Sequence, residues 1–160
     1  MSGFERWLFH LSNLAVVATG LIYTAMLYAM ESDDPFSIVN HPLQPQVQHL
    51  HVLLAPLFVF AVGLIWRQHI WNHWSRGVRQ ARRTGTSLLL LLLPMVASGY
   101  FLQVAVEPQW RTAWGWVHLV SSGLWVLAFI GHFSASFRRS RGAKKSRSLD
   151  QAPAGAPSRG

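Results

Sequence analysis

Apolar residues gather in four long stretches, 7–30, 46–66, 86–106 and 113–133, separated by shorter segments rich in charge, proline and tryptophan. A helix needs roughly 20 residues to cross a hydrocarbon core of about 30 Å, and each stretch meets that length. In lipid the backbone must satisfy its own hydrogen bonds, which a helix does within one segment. The pattern therefore predicts an all-α membrane protein, a four-helix transmembrane bundle over residues 1–137. The first stretch exceeds a signal-peptide core and lacks a clear small-residue cleavage pattern ahead of Glu31, so it is expected to be a retained span. Residues 138–160 are basic at first and end in SLDQAPAGAPSRG, a run of small residues and proline with no means of packing. They are expected to form a basic, then disordered, cytoplasmic tail.

Composition agrees with the pattern: 51% of the 160 residues are hydrophobic and only 12% charged. The formal charge of +8 would suit a nucleic-acid binder, but the placement of the basic residues points elsewhere. Arg67, Arg76, Arg79, Arg82 and Arg83 lie between the second and third stretches, and Arg138, Arg139, Arg141, Lys144, Lys145 and Arg147 follow the fourth. The first connection carries Glu31, Asp33 and Asp34 with no Lys or Arg, and the third has Arg111 alone. By the positive-inside rule both termini are cytoplasmic, an N-in/C-in topology, and no nucleic-acid partner is expected. Trp66, Trp71 and Trp74, and again Trp110, Trp114 and Trp116, suit the two headgroup levels.

Histidines are the candidate chemistry. His118 and His132 lie fourteen positions apart in the fourth stretch, just under four helical turns, so both fall near one face about 21 Å apart along the axis. Ionisable groups inside a span are costly unless paired or ligated. His10 lies near the cytoplasmic end of the first stretch, at the depth of His132. His51 lies near the outer end of the second, at the depth of His118. His49 competes with His51; the two are about 200° apart on a helix, so one site takes only one of them. Ala55, one turn past His51, favours His51. His41 sits in the proline-rich outer connection, and His69 and His73 among interfacial tryptophans, where a surface role is expected. His69 is a further candidate for an inner ligand. Small residues flank the candidates: Ser12, Ala15, Ala18 and Gly20 after His10, Ser121, Ser122 and Gly123 after His118, and Gly131 beside His132. Ser98 and Gly99 mark a close-approach point in the third stretch, where Pro94 is expected to kink the helix.

With no cysteine, disulfides, iron–sulfur clusters, thiolate-ligated haem and covalent c-type haem are excluded. Two imidazoles at each of two depths suit two non-covalent b-type haems, with His10, His51, His118 and His132 as axial ligands to iron. Such centres have no open position and transfer electrons.

The histidine spacing resembles that of the dihaem cytochrome b subunits that anchor formate dehydrogenases and nickel-iron hydrogenases to bacterial membranes. That family has one histidine in its first core helix, one in its second and two, fourteen residues apart, in its last. The resemblance covers roughly residues 4–137. It implies that His10 with His132 holds a cytoplasmic-side haem and His51 with His118 an outer one. It further implies a multi-pass protein of the bacterial cytoplasmic membrane, in contact with lipid. Such a protein passes electrons between the quinone pool and an outward-facing redox subunit: a multihaem cytochrome, a dehydrogenase or a hydrogenase. In two respects the chain departs from the family. Thr19-Gly20 follows His10 about one turn earlier than the family's threonine-glycine, and no tryptophan follows His10.

Two other functions fit the same pattern. Small stand-alone dihaem cytochromes that oxidise superoxide and reduce quinone have similar bundles, although the acidic outer connection is poorly suited to attracting an anion. A haem-free membrane scaffold would use the histidines as hydrogen-bonders between helices.

Overall fold

A computed structural model describes residues 2–66, 71 and 79–150, and among these the side chains of 2–66, 71 and 85–135. The protein is all-α, with no strand among the described residues. Its four helices are α1 (Gly3–Tyr28), α2 (Gln44–Ile65), α3 (Arg79–Val104) and α4 (Pro108–Asp150). Each contains a segment long and apolar enough to cross a membrane, as the pattern predicts: Gly3–Tyr28, Gln44–Ile65, Gly85–Val104 and Pro108–Ala135. The chain divides into two compact units, Met1–Val78 and Arg79–Gly160, each built on one helix pair.

In the first unit α1 starts at a capping box. Ser2 Oγ accepts from the Glu5 amide at 3.1 Å, and the Glu5 carboxylate accepts from the Ser2 amide at 2.8 Å. Contacts run antiparallel: Phe9 meets Phe58 with ring centroids 6.0 Å apart, and Thr19 meets His51 further along. The buried seam of α1 falls at Ser12, Thr19 and Met26, a heptad apart, with Asn13 beside it. In α2 the buried residues are Gln44, Phe58, Ala61, Val62 and Ile65. Small and hydroxyl-bearing residues on such a seam let two membrane helices approach closely, because lipid leaves packing and hydrogen bonds as the association forces. The connection is tied to both helices by Asn40. Its Nδ2 donates to the Leu27 carbonyl at 2.9 Å, and its amide donates to Oε1 of the buried Gln44 at 3.0 Å.

In the second unit α3 and α4 are also antiparallel, since Phe101 stacks on Trp114 at 4.5 Å while Ser98, nearer the start of α3, meets His118 further along α4. Met95, Ser98, Ser121 and Trp125 are buried. Arg111, in the first turn of α4, closes the end of α3. Its Nη1 donates to the carbonyls of Leu102 (3.4 Å) and Ala105 (3.2 Å), which have no acceptor role left inside the helix. The backbone of α4 passes the expected domain boundary at 137/138 without a break and stays helical to Asp150. Leu21, Leu53, Leu90, Leu93 and Leu127 remain exposed, as lipid-facing positions of a multi-pass protein do.

Candidate functional site

The two units hold a histidine in the same way. In each, the first helix carries the sequence Val-Ala-hydroxyl-Gly, Val17-Ala18-Thr19-Gly20 in α1 and Val96-Ala97-Ser98-Gly99 in α3. The second helix lays an imidazole on that step.

In the first unit Thr19 Oγ1 donates back to its own helix, with the Ala15 and Val16 carbonyls at 2.8 and 3.1 Å. The same oxygen lies 3.0 Å from His51 Nδ1. With that proton directed to a carbonyl, the oxygen can accept from the ring only where the neutral imidazole carries its own proton on Nδ1. Gly20 makes the approach possible. A Cβ there would lie 3.0 Å from His51 Cε1 and 3.5 Å from Nδ1.

In the second unit Ser98, fully buried, donates to the Pro94 and Met95 carbonyls. His118 Nδ1 lies 3.0 Å from the Met95 carbonyl and 3.3 Å from Ser98 Oγ. A carbonyl can only accept, so this ring too carries its proton on Nδ1. A Cβ at Gly99 would lie 3.2 Å from His118 Cε1 and 3.3 Å from Nδ1. Glycine at this position opens the side of α3 through which the imidazole reaches the backbone carbonyl one turn back.

The other predicted positions fall as follows. His49 is exposed, whereas His51 is partly buried and seated against α1, so the geometry of α2 singles out His51 of the two. His10, partly buried, sits edge-on to Phe9 at 5.5 Å, beside the Phe9–Phe58 contact. His132 is partly buried in α4. His10 and His51 belong to the first unit, His118 and His132 to the second. His41 accepts the Leu43 amide at 3.1 Å and shapes the turn into α2, a structural use consistent with its place in the connection. His69 and His73 lie outside the described residues. Among the described residues no three His, Cys, Asp or Glu side chains converge as a group that could hold a metal ion.

The space against the two rings is made by Gly20 and Gly99 of the preceding helices, both among the small residues that the sequence marks for close approach, and Ser121 bonds back to the Val117 and His118 carbonyls. Thr19, Gly20, Ser98 and Gly99 are therefore the residues that seat the histidines. The sequence signal for them is the repeated Val-Ala-hydroxyl-Gly step.

In comparison with known proteins, no family model, no curated protein and no solved structure matches the chain.

Proposed function

We propose that this chain is an integral-membrane dihaem b-type cytochrome of the bacterial cytoplasmic membrane, passing electrons across the bilayer between the quinone pool and an outward-facing redox subunit. His51 and His118 would hold the outer haem, and His10 and His132 the one nearer the cytoplasm. When bound, haem supplies one-electron chemistry between ferrous and ferric iron.

The observation that carries this reading is the seating of His51 and His118. A histidine that ligates a metal almost always donates its other ring N–H to a carbonyl, hydroxyl or carboxylate, which fixes tautomer and ring orientation. Both rings are anchored in that manner at Nδ1, so the ring's basic nitrogen is Nε2. The donor set fits haem for a second reason. A porphyrin brings four equatorial nitrogens and asks the protein for one or two imidazoles, so no cluster of three side chains is needed. Polar side chains at these depths of a membrane span otherwise need some such use to offset their cost.

The chain's own part is binding, orientation and insulation. The hydroxyl-glycine steps hold two imidazoles at a fixed rotation, and the exposed leucines keep lipid rather than water around the helices. Glu31, Asp33 and Asp34 are exposed on the first connection, which suits docking of a basic protein surface better than attraction of a small anion. A reduced-minus-oxidised visible spectrum with a pyridine haemochrome count on the detergent-purified chain tests the proposal. Two low-spin b haems per chain, unresponsive to carbon monoxide, are expected. A colourless protein would leave a haem-free scaffold, and one haem would remove one of the two pairs.

A further inference from the structure

The two histidine seats share a backbone design but differ in the acceptor they offer. His51 Nδ1 meets a hydroxyl, Thr19 Oγ1, at 3.0 Å. His118 Nδ1 meets the Met95 carbonyl at 3.0 Å and has the Ser98 hydroxyl at 3.3 Å as a second acceptor. Neutral imidazole in water prefers its proton on Nε2, so a seat that demands Nδ1–H is working against the ring's own preference. At His118 the carbonyl alone imposes that demand, since it has no proton to give. At His51 the demand depends on Thr19, whose proton is occupied by the carbonyls of Ala15 and Val16 one turn back.

We infer that Thr19 is a positioning residue: its hydroxyl accepts the Nδ1 proton of His51 on the neighbouring helix and makes Nε2 the coordinating nitrogen. Ser98 adds a second, longer acceptor at His118, whose tautomer the Met95 carbonyl already sets. A ring whose Nδ1–H is bonded is a stronger donor to iron, because the bond shifts it toward imidazolate. Stronger donation favours the ferric state and lowers the midpoint potential of the haem concerned. The two hydroxyls are therefore unequal in effect. Loss of Thr19's removes the acceptor 3.0 Å from His51 Nδ1, and loss of Ser98's leaves the nearer of two acceptors in place.

The electrochemical half of this inference rests on the dihaem reading; the tautomer half does not. The first experiment is therefore nitrogen-15 NMR of the histidine side chains in the full-length, haem-free chain in detergent. His51 and His118 are expected as Nδ1–H tautomers. Thr19→Val, which keeps the side-chain shape, is expected to move His51 toward Nε2–H; Thr19→Ser should keep it as Nδ1–H, and Ser98→Ala should leave His118 unchanged. An Nε2–H tautomer at His51 in the unaltered chain, or one indifferent to Thr19→Val, overturns the inference. The second experiment is redox titration of the haem-loaded protein. Thr19→Val should raise the midpoint of the outer haem with its haem content retained, Thr19→Ser should restore it, and Ser98→Ala should raise the same midpoint by less. Unchanged midpoints in Thr19→Val would also overturn it. A chain that takes up no haem at all sinks the dihaem reading and leaves the tautomer result to stand or fall separately.

Discussion

Gly20 and His51 touch across the first helix pair so closely that a methyl group at position 20 would lie 3.0 Å from Cε1 of the imidazole. The ring is not at liberty to swing aside, because its Nδ1 is bonded to Thr19 on the adjacent residue of the same helix. Gly20→Ala therefore forces the ring to give by a few tenths of an ångström and stretches that bond. Overpacking of this kind costs about 1–3 kcal/mol, against a helix-propensity gain of at most about 1 kcal/mol. Net destabilisation is expected, together with, on the proposed function, reduced haem content.

Gly99→Ala should behave alike in the second pair, where the added carbon would lie 3.2 Å from His118 Cε1 and 3.3 Å from Nδ1. Gly63 and Gly115 are the controls, since a Cβ at either meets nothing within 4 Å. Alanine there is expected to be neutral or slightly stabilising. Thermal unfolding of the four variants in detergent checks the contrast, and equal effects at all four positions would show that the imidazole contacts are not what the glycines serve.

Much of this was legible in the sequence. The four spans were readable because lipid imposes a single requirement, about 20 apolar residues in a helix, which survives without any knowledge of packing. His51 and His118 stand out in the sequence because ionisable groups inside such a span are few and expensive. Their seats are half legible there: Gly20, Ser98 and Gly99 are recognisable as small residues that allow close approach, but not which imidazole each meets. Ala55 lies on the same helix as His51, and a search along one helix finds neighbours of that kind. Gly20, however, comes from the helix before it and is brought to the ring only by the antiparallel pairing. In the sequence Arg111 is a lone charge between two apolar stretches, and its use as a cap for the last carbonyls of α3 depends on the turn that starts α4 beside them. The same limit applies to Thr19: a hydroxyl bonded to its own helix looks like a packing residue until a second helix supplies the imidazole.

His51 and His49 are two positions apart on α2, yet only His51 is seated against α1, and His49 is exposed. His51→Ala removes a hydrogen bond worth about 0.5–1.5 kcal/mol net and, on the proposed function, one axial ligand. Loss of about half the haem is expected on His51→Ala, and no loss on His49→Ala, by pyridine haemochrome count per chain. The opposite result would move the ligand to His49.

His10 and His132 are proposed as ligands to one haem, and their separations from the other ligands can be compared. Along α1, nine positions lead from His10 to Thr19, where His51 is seated, about 13–14 Å. Along α4, fourteen positions separate His118 from His132, about 21 Å. Side chains of a helix lean toward its N-terminus, which carries the imidazole of His10 away from Thr19 and widens the shorter interval. If both serve one haem, His10→Ala and His132→Ala should remove the same spectral component and spare the other. Removal of different components, or none by His10→Ala, would mean that the short interval on α1 reflects a histidine without an iron.

The orientation of the chain can be tested directly because the sequence contains no cysteine, so a single introduced thiol is the only one present. Positive charge gathers in 67–83 and after 137, while the first connection carries Glu31, Asp33 and Asp34 and no Lys or Arg. Ser32→Cys places the thiol in that connection at an exposed position, and Ser148→Cys places it in the basic C-terminal segment. A membrane-impermeant maleimide added to intact spheroplasts is expected to label the first and to reach the second only after permeabilisation. The reverse pattern would put His51 and His118 at the cytoplasmic end of their spans. The haem they are proposed to hold would then face the cytoplasm, and an outward-facing redox subunit could no longer be its nearest partner.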